Sequence, residues 1–236
     1  MNLYDIIIIG AGPAGTSAAI LAAKKGYKVA LLDKAVFPRD KICGDQVILN
    51  ALEILVNEGV DIAPLLQQAI MVGCLQYNIN LQSFSFDLNQ SPIKSLSCKR
   101  EVFDHFLFKE AQKSGAECYE GVKDLAINDQ QDHYVMEFLC GSKTTRLEAT
   151  YIIGADGATS FIRRNYFKHV QLKTAIATRS YVQYNGVKDF MRCYCFREIE
   201  NGGYFWIFPV DETTANCGVI LFTDGWKNHF KSLNEV

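Results

Sequence analysis

Asp5-Ile-Ile-Ile-Ile9-Gly10-Ala-Gly12-Pro-Ala-Gly15, with the alanine-rich run to Lys25, Gly26 and Val29-Ala-Leu-Leu-Asp33 behind it, decides the fold. Four isoleucines at 6–9 are apolar on both faces, as a strand inside a parallel sheet has to be. Gly10 permits a tight turn, Gly12 lets the backbone approach a diphosphate, and Gly15 lets helix pack closely on strand. Pro13 suits the first turn of a helix, where its missing N–H is not needed. That helix is expected over Ala14 to Lys25, with Gly26 as a left-handed stop. Its N-terminus offers unpaired N–H groups and a partial positive charge to a phosphate. Val29 to Leu32 form the second strand, and Asp33 at its end can accept hydrogen bonds from a ribose diol. Strand, glycines, helix, strand and acid in this order predict a dinucleotide site, NAD and FAD being equally open at this point.

A second stretch separates the two cofactors. Tyr151-Ile-Ile-Gly154-Ala-Asp156-Gly157-Ala-Thr-Ser160 repeats the opening grammar, an apolar strand running into a glycine loop, with Arg163 and Arg164 on a short helix behind it. A plain NAD dehydrogenase has one phosphate loop. Two loops separated by a β insert suit an extended dinucleotide, with FAD as cofactor and NAD(P)H as a passing reductant.

The 236 residues suffice for one large domain or two interleaved ones. A hydrophobic content of 49% and a charged content of 21% are those of an ordinary globular chain. A net charge of −2 offers no polyanion-binding surface, which points away from nucleic acid. No basic segment followed by a cleavable apolar stretch opens the chain, and Ile6 to Ile9 are too few to span a bilayer, so the expected location is cytoplasmic. Eight cysteines are spread without any Cys-x-x-Cys pair, so no metal site is expected and the thiols read as reduced and mostly buried.

Along the chain, Phe37-Pro-Arg-Asp-Lys-Ile-Cys43-Gly44-Asp45 reads as a loop. Asp45 is placed to cap a helix over Gln46 to Asn57, whose apolar residues 47, 48, 51, 52, 55 and 56 recur at helical spacing. Alternation over 70–78 and 81–88 predicts inserted antiparallel strands, with a third short strand ending near Cys98. Arg100 to Ser114 reads as a helix stopped by Gly115, followed by strands at 116–119 and 122–127 and a hairpin over 134–139 and 144–147. Strands then follow at 175–184, 191–198, 203–209 and 215–222, with a helix beginning in 225–233. The expected architecture is α/β. A Rossmann-like FAD-binding domain with a parallel sheet (1–72 and 99–167) is interleaved with an antiparallel-sheet substrate domain (73–98 and 168–236).

Four motifs together resemble the geranylgeranyl reductase family, within the flavoproteins related to p-hydroxybenzoate hydroxylase. They are Asp5-x-x-x-x-Gly-x-Gly-Pro-Ala-Gly15, Phe37-Pro-Arg-Asp-Lys-x-Cys-Gly44, Gly154-Ala-Asp-Gly-Ala-x-Ser160-x-x-Arg-Arg164 and Tyr204-x-Trp206-x-Phe-Pro209. The resemblance implies that Gly10, Gly12, Pro13, Ala14 and Gly15 hold the FAD diphosphate and that Asp33, with Lys34 beside it, holds the adenosine ribose. It implies that Arg100 reaches toward the phosphate–ribityl region and that Asp156 and Gly157 support the diphosphate. Arg39 and Lys41 would line the approach, or else form a solvated loop face. Cys43 and Gly44 would sit near the isoalloxazine, Cys43 to tune the flavin or donate a proton, or for shape alone. Tyr204, Trp206 and Phe208 share one face of a strand, and the resemblance makes Tyr204 and Trp206 walls of an apolar cavity over the flavin. Cys43, Tyr204 and Trp206 are therefore the candidate catalytic residues. The family's third cofactor motif, a Gly-Asp pair after the substrate sheet, does not follow Phe222, so the sequence reads as an N-terminal portion.

The implied activity is reduction of isolated C=C bonds in isoprenoid or prenyl-lipid chains by hydride transfer from reduced flavin. An apolar or lipid substrate is compatible with peripheral contact with a membrane. Two alternatives stand beside it: a flavin monooxygenase or halogenase, and a truncated, non-catalytic nucleotide-binding protein.

Overall fold

A computed structural model of the chain describes residues 3–79, 82–170, 172–195 and 203–222. In chain order the first elements are β1 (Leu3–Ile9), α1 (Pro13–Lys24), β2 (Val29–Leu32), β3 (Gln46–Ile48), α2 (Glu53–Asn57) and α3 (Ala63–Leu66). Next come β4 (Ile70–Met71), β5 (Cys74–Ile79), β6 (Gln82–Asp87), β7 (Ser95–Ser97) and α4 (Arg100–Lys113). The remainder is β8 (Glu117–Tyr119), β9 (Val122–Asp129), β10 (Tyr134–Cys140), β11 (Lys143–Gly154), α5 (Phe161–Tyr166), β12 (Ala175–Gln183), β13 (Phe190–Cys195), β14 (Gly203–Pro209) and β15 (Thr214–Phe222). The helix expected in 225–233, and residues 196–198 of one expected strand, lie outside the described residues.

The chain divides into two compact units, the first comprising 1–40, 54–60 and 101–170 and the second 41–53, 61–100 and 171–236. In the first unit a six-stranded sheet runs β8-β2-β1-β11-β10-β9. β1 pairs parallel with both β2 and β11, while β9, β10 and β11 are antiparallel. Ile7 and Ile8 are fully buried, as the isoleucine run requires. Ile7, Tyr4 and Ile9 pack with Met136, Phe138, Leu147 and Ala149 as the core of this unit. The hairpin arm expected at 144–147 and the apolar strand at 151–154 prove to be one continuous strand, β11. Its first half pairs with β10 and its second half with β1, so no break is needed between them.

The second unit holds a six-stranded sheet ordered β12-β15-β14-β13-β5-β6 and a three-stranded sheet ordered β3-β7-β4. In the larger sheet only the β13–β5 pair is parallel. The helix expected over 46–57 does not form as such. Val47 pairs with Leu96 and Ile48 with Ser95, so these β-branched residues extend into β3, and only 53–57 are α-helical, after a short 3₁₀ turn at 49–52. Pairing of β3 and β4 with β7 also groups 41–53 and 61–72 with the second unit, not with the first as the sequence pattern suggests.

Candidate functional site: a dinucleotide cradle and an apolar cavity

The register Ile9↔Gly154 brings the ends of β1 and β11 side by side, and the Ala155 N–H donates to the Ile9 carbonyl at 2.7 Å. The two glycine loops are therefore neighbours within the first unit. Gly10 has φ +102, and a side chain there would overlap the Ala155 carbonyl. A Cβ on Gly15 would overlap the Gly10 carbonyl oxygen, which is the close helix–strand packing expected of it. Gly12 differs: a Cβ there meets nothing within 4 Å. Gly12 is the N-cap of α1, without a side-chain cap and with no acidic residue in the first turn, and Pro13 opens the helix. The helix start therefore presents its polar N–H end uncovered at an open glycine.

Asp33 pins this turn. Its Oδ2 accepts the Ala11 N–H at 2.6 Å and its Oδ1 the Ala35 N–H at 2.8 Å. Carboxylate oxygens accept more than one bond each, so both retain capacity for a ribose hydroxyl. Lys34 beside it is exposed. In the second loop, Asp156 Oδ2 accepts the Phe161 N–H at 2.6 Å, and Ser160 Oγ accepts the Arg163 N–H at 2.9 Å, together capping α5. Asp156 Oδ1 is buried and has no hydrogen-bond partner. A buried acceptor left open suits a sugar hydroxyl. An uncapped helix start at an open glycine, a ribose acceptor and an orphaned acceptor in the adjoining loop fit a dinucleotide laid over both loops.

Arg39 is not on a solvated loop face. Its guanidinium pairs with Asp104 of α4 at 2.7 Å, Asp104 being completely buried, and it lies 5.0 Å over the Phe37 ring. Phe37 in turn stacks on Phe108 at 4.5 Å, so the loop after β2 is tied to α4.

The second unit brings together Cys43, Gly44, Arg100, Tyr204 and Trp206. On one face of its larger sheet Tyr77, Cys193, Trp206 and Gly218 are in register, with Leu75 and Met191 in the next row. Trp206 is only 3% exposed, and its indole N–H donates to Asn216 Oδ1 at 2.9 Å. Its ring lies where a Gly218 side chain would be, which explains that glycine. Trp206 is thus core, packed with Val72, Met191, Cys193 and Phe208. Tyr204 is half-buried on the same face. Burial pushes its phenol up, and so do the Cys193, Tyr77, Cys195 and Cys43 side chains around it. Burial likewise pushes the Cys193 thiol up to about 12. A cavity of about 650 Å³ is lined by Leu75, Tyr77, Phe86, Leu88, Ile48 and Ile93, with Gln46, Asp87, Ser91 and Ser95 completing its wall. Tyr77 and Phe86 are the aromatic part of this wall.

Three polar residues escaped the sequence reading as site residues. Asp45 and Asn216 are fully buried, and Tyr181 joins them. Asp45 does not cap a following helix. Its Oδ1 accepts the Arg100 N–H at 3.3 Å, and its Oδ2 accepts from the Tyr181 hydroxyl and the Asn216 amide, both at 2.7 Å. Burial raises its carboxyl above the usual carboxylate range, against the lowering effect of these hydrogen bonds and of Arg179.

Fold and cradle together define a flavoprotein of the two-loop dinucleotide class. The chain belongs to the FAD binding domain family, whose model matches residues 3–224, and FAD is the cofactor of that family. It is 29% identical to digeranylgeranylglycerophospholipid reductase 3 of Methanosphaera stadtmanae, the alignment covering 100% of this chain and 61% of the relative. The geranylgeranyl bacteriochlorophyll reductase-like protein of Thermoplasma acidophilum superposes with a TM-score of 0.78 at 20% identity, over 97% of this chain and 60% of that one. The flavin-dependent halogenase CmlS gives 0.78 at 22% identity, over 94% of this chain and 42% of that one. The resemblance to geranylgeranyl reductases is thus matched by relatives, and the α/β flavoprotein fold by structures. The chain spans 52 to 61% of the length of the first curated relatives it matches. Among the described residues no helix is long and apolar enough to cross a membrane.

Proposed function

We propose that the protein is an FAD-dependent oxidoreductase that reduces C=C bonds in isoprenoid or similarly apolar chains, with NAD(P)H as the reductant of its flavin. The single observation carrying this reading is the apolar cavity of about 650 Å³ in a chain of the FAD binding domain family. Its size falls within the ordinary range for small-ligand sites, roughly 300–1,000 Å³. The relative named as a digeranylgeranylglycerophospholipid reductase supports a prenyl-lipid substrate.

Gly10, Gly12, Pro13, Ala14 and Gly15 bind the diphosphate through backbone N–H groups and the α1 N-terminus. Asp33 takes the ribose diol, Asp156 with Gly157 receives a further sugar hydroxyl, and Arg100 serves the phosphate–ribityl region. Lys34 and Arg39 shape the approach, Arg39 from its anchor on Asp104. When bound and reduced, the flavin supplies a hydride to one alkene carbon. An isolated alkene has no carbonyl to polarise, so the protein's contribution is orientation, exclusion of water and a proton for the second carbon. Leu75, Tyr77, Phe86 and Ile93 grip the chain and exclude water. The Cys43 thiol is the proton source. Trp206 holds the Cys43-Gly44 turn through Asn216, and Tyr204 packs on the same face of β14.

Anaerobic reoxidation of the reduced flavin by a prenyl lipid, followed spectrophotometrically, tests the proposal. Reoxidation that depends on the lipid and yields the saturated chain supports it. Turnover that requires O2 and gives a hydroxylated or halogenated product overturns it in favour of oxygen chemistry, for which the halogenase likeness supplies the scaffold.

A further inference from the structure

We infer that Asn216 and Asp45 form a buried clasp that sets the position of the Cys43-Gly44 turn, and with it the Cys43 thiol, against β14. Asn216 has two amide protons and one carbonyl oxygen to place, and all are engaged. Its Nδ2 donates to the Cys43 carbonyl and to Asp45 Oδ2, both at 2.7 Å, while its Oδ1 accepts from the Trp206 indole at 2.9 Å. An indole N–H can only donate, so Trp206 fixes which end of the amide faces it, and the NH2 group is left facing Cys43 and Asp45. Gly44 then lies flat on the aromatic strand, a Cβ there being 3.2 Å from the Phe208 ring and 3.6 Å from the Trp206 indole nitrogen. Asp45 follows at φ 63, in the left-handed region, held there by Tyr181, the Arg100 N–H and the Cys98 N–H, which donates to its carbonyl at 2.8 Å.

An apolar pair in the same space would leave the Trp206 N–H, the Cys43 carbonyl, the Tyr181 hydroxyl and the Arg100 N–H without these partners. What the polar pair adds is a single orientation for the turn, because each hydrogen bond is satisfied in only one arrangement. Asn216 and Asp45 are positioning residues, acting through the Cys43 backbone. The inference rests on the proposed reading of Cys43 as the proton source, but its test uses no turnover, so the two fail separately.

The exchange D45N/N216D keeps a donor–acceptor pair between the two positions and an acceptor for Trp206, yet leaves the Cys43 carbonyl without a donor. The single variant Y181F removes one donor to Asp45 and keeps the Asn216 amide on both the Cys43 carbonyl and Asp45. Alkylation of each cysteine by iodoacetamide, mapped by mass spectrometry, reads the outcome in folded protein. The expected result is Cys43 labelling about fivefold to tenfold faster in the exchange variant, the equivalent of one lost hydrogen bond, and within about twofold of wild type in Y181F. Cys217, next to Asn216 on β15, keeps its wild-type rate in both. Wild-type labelling of Cys43 in a folded exchange variant overturns the clasp. So does an equal acceleration at Cys43 and Cys217, which marks a general loosening. Should the exchange variant fail to fold, the wild-type chain decides by NMR: both Asn216 side-chain amide protons exchange slowly if the clasp is closed, and rapid exchange of both refutes it.

Discussion

Replacing Gly12 with alanine separates the cradle from the fold. At this position φ is −74 and ψ −178, extended backbone that alanine adopts freely, and the new methyl group meets no atom within 4 Å. The folded chain loses only the difference between glycine and alanine at an N-cap, about 0.5–1 kcal/mol. In a chain of this length that lowers Tm by roughly 2–4 °C. In the proposed binding mode the same methyl occupies the space in which a diphosphate meets the α1 N–H groups. Displacing the phosphates from two charge-assisted hydrogen bonds, at about 1.5–3 kcal/mol each, weakens FAD binding by roughly 100-fold or more. Gly15→Ala is the counterpart. Its methyl overlaps the Gly10 carbonyl, so helix and loop must part, costing about 1–3 kcal/mol of stability as well as affinity. Titration with FAD, read by quenching of flavin fluorescence, and thermal unfolding give the two quantities. Gly12→Ala protein that is stable and binds FAD within about threefold of wild type refutes the cradle.

Arg39→Ala leaves Asp104 buried without its cation and lowers stability by about 3 kcal/mol in denaturant unfolding; the double variant R39A/D104N recovers most of this. Gly218→Ala drives a methyl into the Trp206 ring and the Thr178 carbonyl and destabilises by about 1–3 kcal/mol in denaturant unfolding. Burial raises the Asp45 carboxyl in the folded state, so the native chain holds this proton more tightly than the unfolded one. Its contribution to stability is therefore fully present below the ordinary aspartate value and lost as pH rises through the raised one, a slope that D45N abolishes in pH-dependent urea unfolding. Ile93→Trp narrows an exposed part of the cavity wall, leaving stability within about 0.5 kcal/mol and lowering kcat/KM more for long prenyl chains than for short ones.

Legibility in the sequence followed the range of the interactions. Helix α1, its stop at Gly26 and strand β14 over 203–209 stand where local pattern puts them, because glycine geometry and apolar runs act over a few residues. The stretch 46–57 misled because Val47 and Ile48 satisfy helical spacing, yet pairing with Ser95 and Leu96, nearly fifty residues on, outweighs a weak propensity. Asp45 offered only a capping signal, since its partners Tyr181 and Asn216 lie 136 and 171 residues away. Trp206 was read correctly as sharing a face with Tyr204 and Phe208. That the face is closed around it follows from Gly218 on the next strand, which no local pattern announces.

Calorimetric titration of the purified chain with FAD, in the absence and presence of ADP, addresses the joined glycine loops most directly. One FAD per chain, displaced competitively by ADP and weakened alike by Gly12→Ala and by Gly157→Val, is the predicted result. FAD binding that ignores ADP and both substitutions, or saturable binding of NAD with none of FAD, contradicts a flavin nucleotide held across Gly10–Gly15 and Gly154–Gly157.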